Sequence, residues 1–172
     1  MNGKLHILEQ QGIHLKASFL TDGNRGKTVE DLYKEALVSD FRAVGRRTGI
    51  AEQMRGVDSG VISGGPVMLQ INYFCDISVK NDEREVISND KRTAKLVMTD
   101  DGTNEIFGIE KQRIESLTEL TKPGAKIILK NPPFMRGLLL LDSSNAIVLG
   151  GCVNELVELK ERRIKEIERK KW

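Results

Sequence analysis

Asp100 and Asp101 stand side by side, and paired carboxylates are one arrangement that general acid–base catalysis uses. Here they close an apolar run and precede Gly102, so turn formation is the stronger reading. The only histidines, His6 and His14, fall within the first fifteen residues and suggest no nucleophile–base pair. Together with Cys75 and Cys152 they show neither CxxC nor HxxxH spacing, so no metal site is expected. The glycines at 56, 60, 64 and 65 lack the Lys-Ser/Thr ending and the strand–helix context of a phosphate loop. GxSxG and HExxH are also missing. An enzyme is not expected, nor a cofactor or small-molecule substrate.

Binding remains. A single-stranded nucleic acid needs aromatic platforms for its bases and a basic groove for its backbone. Tyr73 and Phe74 are the candidate platforms, but as neighbours on one strand only one of them can face outward. Aromatic residues are 5% of the chain, and 27 Lys and Arg against 25 Asp and Glu leave a net charge of +2. That excess lies wholly in 155–172, which holds seven basic and five acidic residues, so the body is neutral. Protein docking is therefore favoured over nucleic-acid binding. The probe would be the segment 78–92, far longer than the usual connection of about 4–6 residues. Its candidate partner-binding residues are Val79, Lys80, Asp82, Glu83, Arg84, Glu85, Val86, Ile87 and Arg92. The charges should keep this loop soluble and mobile. Val86 and Ile87, an apolar pair with no obvious place in a core, should be its anchors.

The elements that would position this loop follow from periodicity. Residues 1–50 read as a small helical domain. Thr28 is placed as an N-cap before Glu30 and Asp31, and Val29, Leu32, Tyr33, Ala36 and Leu37 form an apolar stripe. A third helical piece spans 39–47. Residues 51–65 read as a Gly-rich linker ending at Pro66. The period then becomes two over 67–77, with every odd position apolar, and further strands are expected at 94–99, 105–110, 125–130, 137–141 and 146–149. A helical turn should sit at 114–120. The fold class expected is α+β. A small N-terminal helical bundle precedes a five-stranded Greek-key barrel of the oligonucleotide/oligosaccharide-binding (OB) type at 66–151, with a helix at 152–172 packed on it. Glu158 with Arg162 and Glu161 with Lys165 support that helix. No apolar run approaches the roughly 20 residues of a membrane span. The first nine residues do not read as a secretory signal, and two cysteines suit reduced intracellular thiols.

Several stretches then resemble one family. Leu138-Leu139-Leu140-Leu141-Asp142-Ser143-Ser144-Asn145, followed by Val148-Leu149-Gly150-Gly151, is similar to the last barrel strands of the family that includes RecQ-mediated genome instability protein and Tudor-domain-containing protein three. Gly65-Pro66-Val67-Met68-Leu69-Gln70-Ile71, Met98-Thr99-Asp100, Pro123-Gly124-Ala125-Lys126 and Ser39-Asp40-Phe41-Arg42-Ala43-Val44-Gly45 agree with it in order. The Asp-Ser-Ser-Asn turn and the short insert look closer to the Tudor-domain protein. The resemblance implies a non-catalytic subunit of type IA topoisomerase III, beta form favoured over alpha. It would bind through the barrel, with the loop after the first barrel strand directed to the enzyme's gate. It implies support of DNA and RNA topology in transcription and messenger-RNA metabolism, in cytoplasm and nucleus, with nucleic acid reached mainly through the topoisomerase. Ubiquitin-associated and Tudor domains would lie downstream. Two alternatives stand beside this. One is a genome-instability subunit of a topoisomerase III alpha–RecQ helicase complex. The other is a single-strand-binding module using Tyr73 and Phe74.

Overall fold

The computed structural model describes residues 3–21 and 23–172; Met1, Asn2 and Asp22, which fall in the expected helical domain, lie outside the described residues. Short helices fill the first third of the chain: α1 (Gly3–Gln10), α2 (Val29–Val38), α3 (Phe41–Val44) and α4 (Ile50–Met54). Thr28 caps α2 as expected, its hydroxyl oxygen accepting the Asp31 amide at 3.1 Å. Leu8, Ile13, Leu15, Phe19, Leu20, Leu32, Ala36 and Phe41 share one apolar cluster, but Met68 and the half-buried Ile128 of the sheet complete it. The expected small helical bundle thus shares its core with the sheet. These helices are too short to cover their own core, and the barrel wall supplies the missing side.

The sheet has eight strands rather than five: β1 (Ser59–Val61), β2 (Pro66–Asp76), β3 (Ala94–Thr99), β4 (Ile106–Glu110), β5 (Lys126–Lys130), β6 (Pro133–Met135), β7 (Leu138–Leu141) and β8 (Ala146–Gly150). Their order is β1-β6-β7-β4-β3-β2-β5-β8. β7 runs parallel to β4, and β8 runs antiparallel to β5. The turn at 142–145 joins them, pinned by the Asp142 amide donating to Asn145 Oδ1 at 3.1 Å and Asn145 Nδ2 donating to the Leu140 carbonyl at 3.1 Å. Chain continuity, not a further ladder, links the two ends of the sheet, so β1 and β8 remain edge strands.

Residues 51–65 are not a linker. They contain the end of α4 and β1, which pairs with β6, and Ile50 and Ile62 are buried in the barrel core with Met54 packed on it. The glycines that suggested flexibility instead turn the chain around this end of the barrel. The segment 114–120 is a pair of turns, not a helix, although Ile114 and Leu117 are core residues. The last helix, α5 (Asn154–Lys170), forms as expected.

Polar contacts fasten the helices to the barrel. Gln70 is fully buried; its Oε1 accepts the Phe41 amide at 2.8 Å and its Nε2 donates to Asp40 Oδ1 at 3.0 Å. Asp100 Oδ2 accepts the Thr48 amide and hydroxyl, each at 2.8 Å, and Asp101 accepts Arg47 Nε at 3.2 Å. The two adjacent carboxylates therefore hold the helical segment. At Gly45 the Asp100 carbonyl comes so close that a Cβ would collide with it.

Lys126 is the costly element of this seam. It has no exposed surface, donates to the Gly124 carbonyl at 2.8 Å and lies 4.9 Å from the Phe41 ring centroid. Burial pushes its ammonium down to about 8, against the opposing charges of Asp40 and Cys152. An amine whose folded pKa is depressed binds fewer protons than the unfolded chain, so stability rises with pH between about 8 and 10.5. Tyr73 works the other way, but only above its ordinary value of 10.0. In urea unfolding from pH ~7 to ~9.5, the wild type should gain stability with pH. Lys126→Met should lose part of that rise, the rest remaining because burial depresses the Lys160 ammonium in the same direction, and should be about 1–3 kcal/mol more stable at neutral pH. A parallel rise in both proteins would refute the assignment.

Candidate functional site

The long connection after β2 is built onto the end of the barrel. Asp76, buried at its start, uses Oδ1 to accept the Ser78 amide at 2.9 Å, the Ser78 hydroxyl at 2.6 Å and the Thr93 amide at 3.1 Å. Burial alone would raise its pKa, but these hydrogen bonds outweigh that and hold the carboxyl below its usual range. The Ile77 amide donates to Thr93 at 2.9 Å and the Asp76 amide to Arg84 at 2.9 Å, closing the neck.

The returning arm is locked by a buried ion pair. Arg92 donates Nε to Glu110 Oε1 at 3.0 Å and Nη2 to Oε2 at 2.8 Å, and both side chains are 2% exposed. Glu110 also accepts the Ala94 amide at 3.3 Å and the Ile114 amide at 2.9 Å, while Arg92 reaches the Ser88 and Ile114 carbonyls.

These contacts sort the candidate residues. Ile87 is 2% exposed and belongs to the barrel core. Arg92 is locked to Glu110, and Glu85 is 8% exposed with its Oε1 accepting the Tyr73 hydroxyl at 2.7 Å. Ile87 and Arg92 are not free contacts, Glu85 is engaged through Oε1 alone, and the loop is tied at its neck, middle and return rather than held only by its ends. Val86 is 66% exposed, and Lys80, Asp82 and Glu83 are exposed as well. Val79 and Arg84 are half-buried, with Arg84 Nε donating to the Val79 carbonyl at 3.2 Å.

Neither aromatic candidate is an open base platform. A bulge at Asn72 breaks the alternation of β2: Ile71 pairs with Met98 and Tyr73 already with Val97. Phe74, an even position, therefore enters the core beside Ile71. α5 covers this place, with Lys160 Nζ 4.0 Å from the Phe74 ring centroid and the Arg163 guanidinium 4.8 Å from that of Tyr73. Burial and the bond to Glu85 push the Tyr73 phenol up. Burial pushes the Lys160 ammonium down, with Glu85 opposing.

Sequence reasoning missed this role of α5 and the apolar outer wall. Val97, Phe107, Ile109, Leu138 and Leu140 alternate with the core residues of β3, β4 and β7 and are half-buried or exposed. Apolar residues at both phases of these strands were the available signal. Among the described residues no group of three or more His, Cys, Asp and Glu side chains could hold a metal. Among the described residues no helix is long and apolar enough to cross a membrane.

A family profile described as "RMI1, N-terminal OB-fold domain" matches residues 47–164. The chain belongs to this family. It is 31% identical over 137 residues to RecQ-mediated genome instability protein 1 of Oryza sativa, covering 78% of this chain and 16% of that protein. It is 35% identical over 105 residues to the Arabidopsis thaliana protein of the same name, covering 60% of this chain and 16% of the relative. To Tudor domain-containing protein 3 of Danio rerio it is 30% identical over 131 residues, covering 74% and 17%. The chain thus spans about a sixth of the length of these relatives. The two kinds of relative show comparable identity, so identity alone does not separate the two branches.

Breaking a buried ion pair by removing one partner leaves the other charge unpaired, a loss of about 3–5 kcal/mol. Arg92→Ala should lower unfolding stability by that order. Arg92→Met with Glu110→Leu should recover much of it. Urea unfolding followed by circular dichroism reads both. A single mutant as stable as wild type would remove the pair from its anchoring role.

Proposed function

We propose that this chain is a non-catalytic docking subunit for a type IA topoisomerase III, engaging the enzyme through the barrel end that carries the segment 78–92. The observation that carries this reading is the family match, which runs from before β1 into α5. The braced loop supports it. A partner meets a shaped surface, so little ordering free energy is lost on binding. The contact residues proposed are Val86, Lys80, Asp82 and Glu83, with Val79 and Arg84 at the margin. The finer reading favours the beta form on the likeness of the Asp142–Asn145 turn and the short insert, with work on DNA and RNA topology in cytoplasm and nucleus. The names of the rice and Arabidopsis relatives favour a second reading, a genome-stability subunit working with a RecQ helicase. Direct single-strand binding is the weaker alternative, because Tyr73 and Phe74 lie beneath α5.

Burying one aliphatic side chain is worth roughly 1.5–3 kcal/mol, about tenfold to a hundredfold in affinity. Val86→Asp should weaken topoisomerase III binding at least tenfold in calorimetry while its thermal melt stays near wild type, since Val86 is 66% exposed. Parallel titrations of the alpha and beta forms decide between the two finer readings. Unchanged affinity for both forms in the folded variant would move the interface off this loop.

A further inference from the structure

A groove runs between the loop residues 82–87 and the second half of α5. It consists of two adjoining cavities of about 250 Å³ and 210 Å³, with Glu85, Val86 and Ile164 lining both. Ile167 extends the apolar wall of the first, Phe74 and Ile87 that of the second. Glu85 is more than nine-tenths buried, and while its Oε1 takes the Tyr73 hydroxyl, its Oε2 is buried and accepts no hydrogen bond from any described residue. Asp82, Glu83, Glu119 and Glu168 also line the groove, so five carboxylates face two ammonium groups. Of those two, Lys171 is engaged with Asp82 at 3.4 Å and Lys160 rests over the Phe74 ring.

We propose that this groove receives one long cationic side chain, best an arginine, carried by an apolar segment of the protein partner. Its charged head would meet Glu85 Oε2, and its methylene stem would lie against Val86, Ile164 and Ile167. Three arguments select this occupant. A buried carboxylate oxygen calls for a donor, and a charged donor gives the stronger bond. Guanidinium is more weakly hydrated than ammonium, so it enters an apolar groove at lower cost, and its stem packs on aliphatic walls. The excess of carboxylates repels nucleic acid and anionic membranes. The inference rests on the docking reading above and assigns the chemistry of that contact.

Two arms test it. In the first, the chain is titrated with n-butylguanidinium chloride and, separately, n-butanol, followed by amide NMR shifts. The guanidinium should give saturable shifts at Glu85, Val86 and Ile164, at least fivefold weaker in Glu85→Gln, and butanol should give none that saturate. Glutamine keeps an oxygen for the Tyr73 hydroxyl, and thermal melting confirms that the variant folds. In the second arm, Glu85→Gln should weaken topoisomerase III binding about tenfold or more, whereas Glu166→Gln, at an exposed carboxylate of α5 that lines neither cavity, should change it less than about twofold. Absence of saturable guanidinium shifts, equal shifts with butanol, or full topoisomerase affinity in Glu85→Gln would overturn the proposal. A wild-type chain that binds guanidinium but no topoisomerase would instead overturn the partner reading alone. Self-association abolished by Glu85→Gln would assign the groove to a second copy, whose Arg169 or Lys170 would be the guest, and would overturn the partner assignment.

Discussion

The carboxylate of Glu110 is the point on which the functional end of the barrel depends. It sits at the last residue of β4, and one side chain accepts from Arg92, from the first amide of β3 and from the amide of Ile114. Two stretches of the chain, 92–94 and 110–114, converge there with almost no solvent. A buried carboxylate with every donor satisfied is stabilising, whereas the same group with one donor removed is a liability. That asymmetry makes the site cooperative. Ile87 enters the core because Arg92 brings the chain back, and with Ile87 in place, Glu85 and Val86 fall on opposite sides of the loop, one buried and one exposed.

α5 completes the arrangement from outside. Its sequence alternates charge so strongly that a solvated helix is the natural reading, yet Lys160 and Arg163 lie over the two aromatic rings of β2. Their stems add apolar cover, as long amphipathic side chains do, and the Lys160 head stays near the Glu85 carboxylate. A barrel face that could have stacked bases is thereby converted into one wall of a peptide-scale groove.

What could be read from the sequence divides along physical lines. The Thr28 cap, the onset of period two at Pro66 and α5 were legible, because each is a local pattern repeated over several residues. The bulge at Asn72 was not, since one extra residue leaves no trace in a strand with apolar residues at both phases, and it reversed the roles of Tyr73 and Phe74. The glycines of 51–65 suggested freedom, and only the burial of Ile50 and Ile62 in the barrel reveals their purpose. Ile87 was misjudged for a related reason. The segment around it is rich in charge, but Ile87 shares the barrel core with Phe74, Ala94 and Ile114, and no local reading brings those together. The exposed part of the site, Val86 with Lys80, Asp82 and Glu83, was legible as composition.

The seam between the helices and the barrel bears on where this unit can be cut. The family profile begins at residue 47, just after α3, although similarity to the rice relative covers 78% of the chain and so reaches into the helices. A chain started there would bare Met68 and half-buried Ile128, strip Gln70 of its Phe41 and Asp40 partners, and let water reach Lys126. The boundary of the profile and the boundary of cooperative folding therefore do not coincide. The helices are ballast to the profile but part of the wall to the molecule. A minimal excised barrel would carry a sticky face that the intact protein never presents.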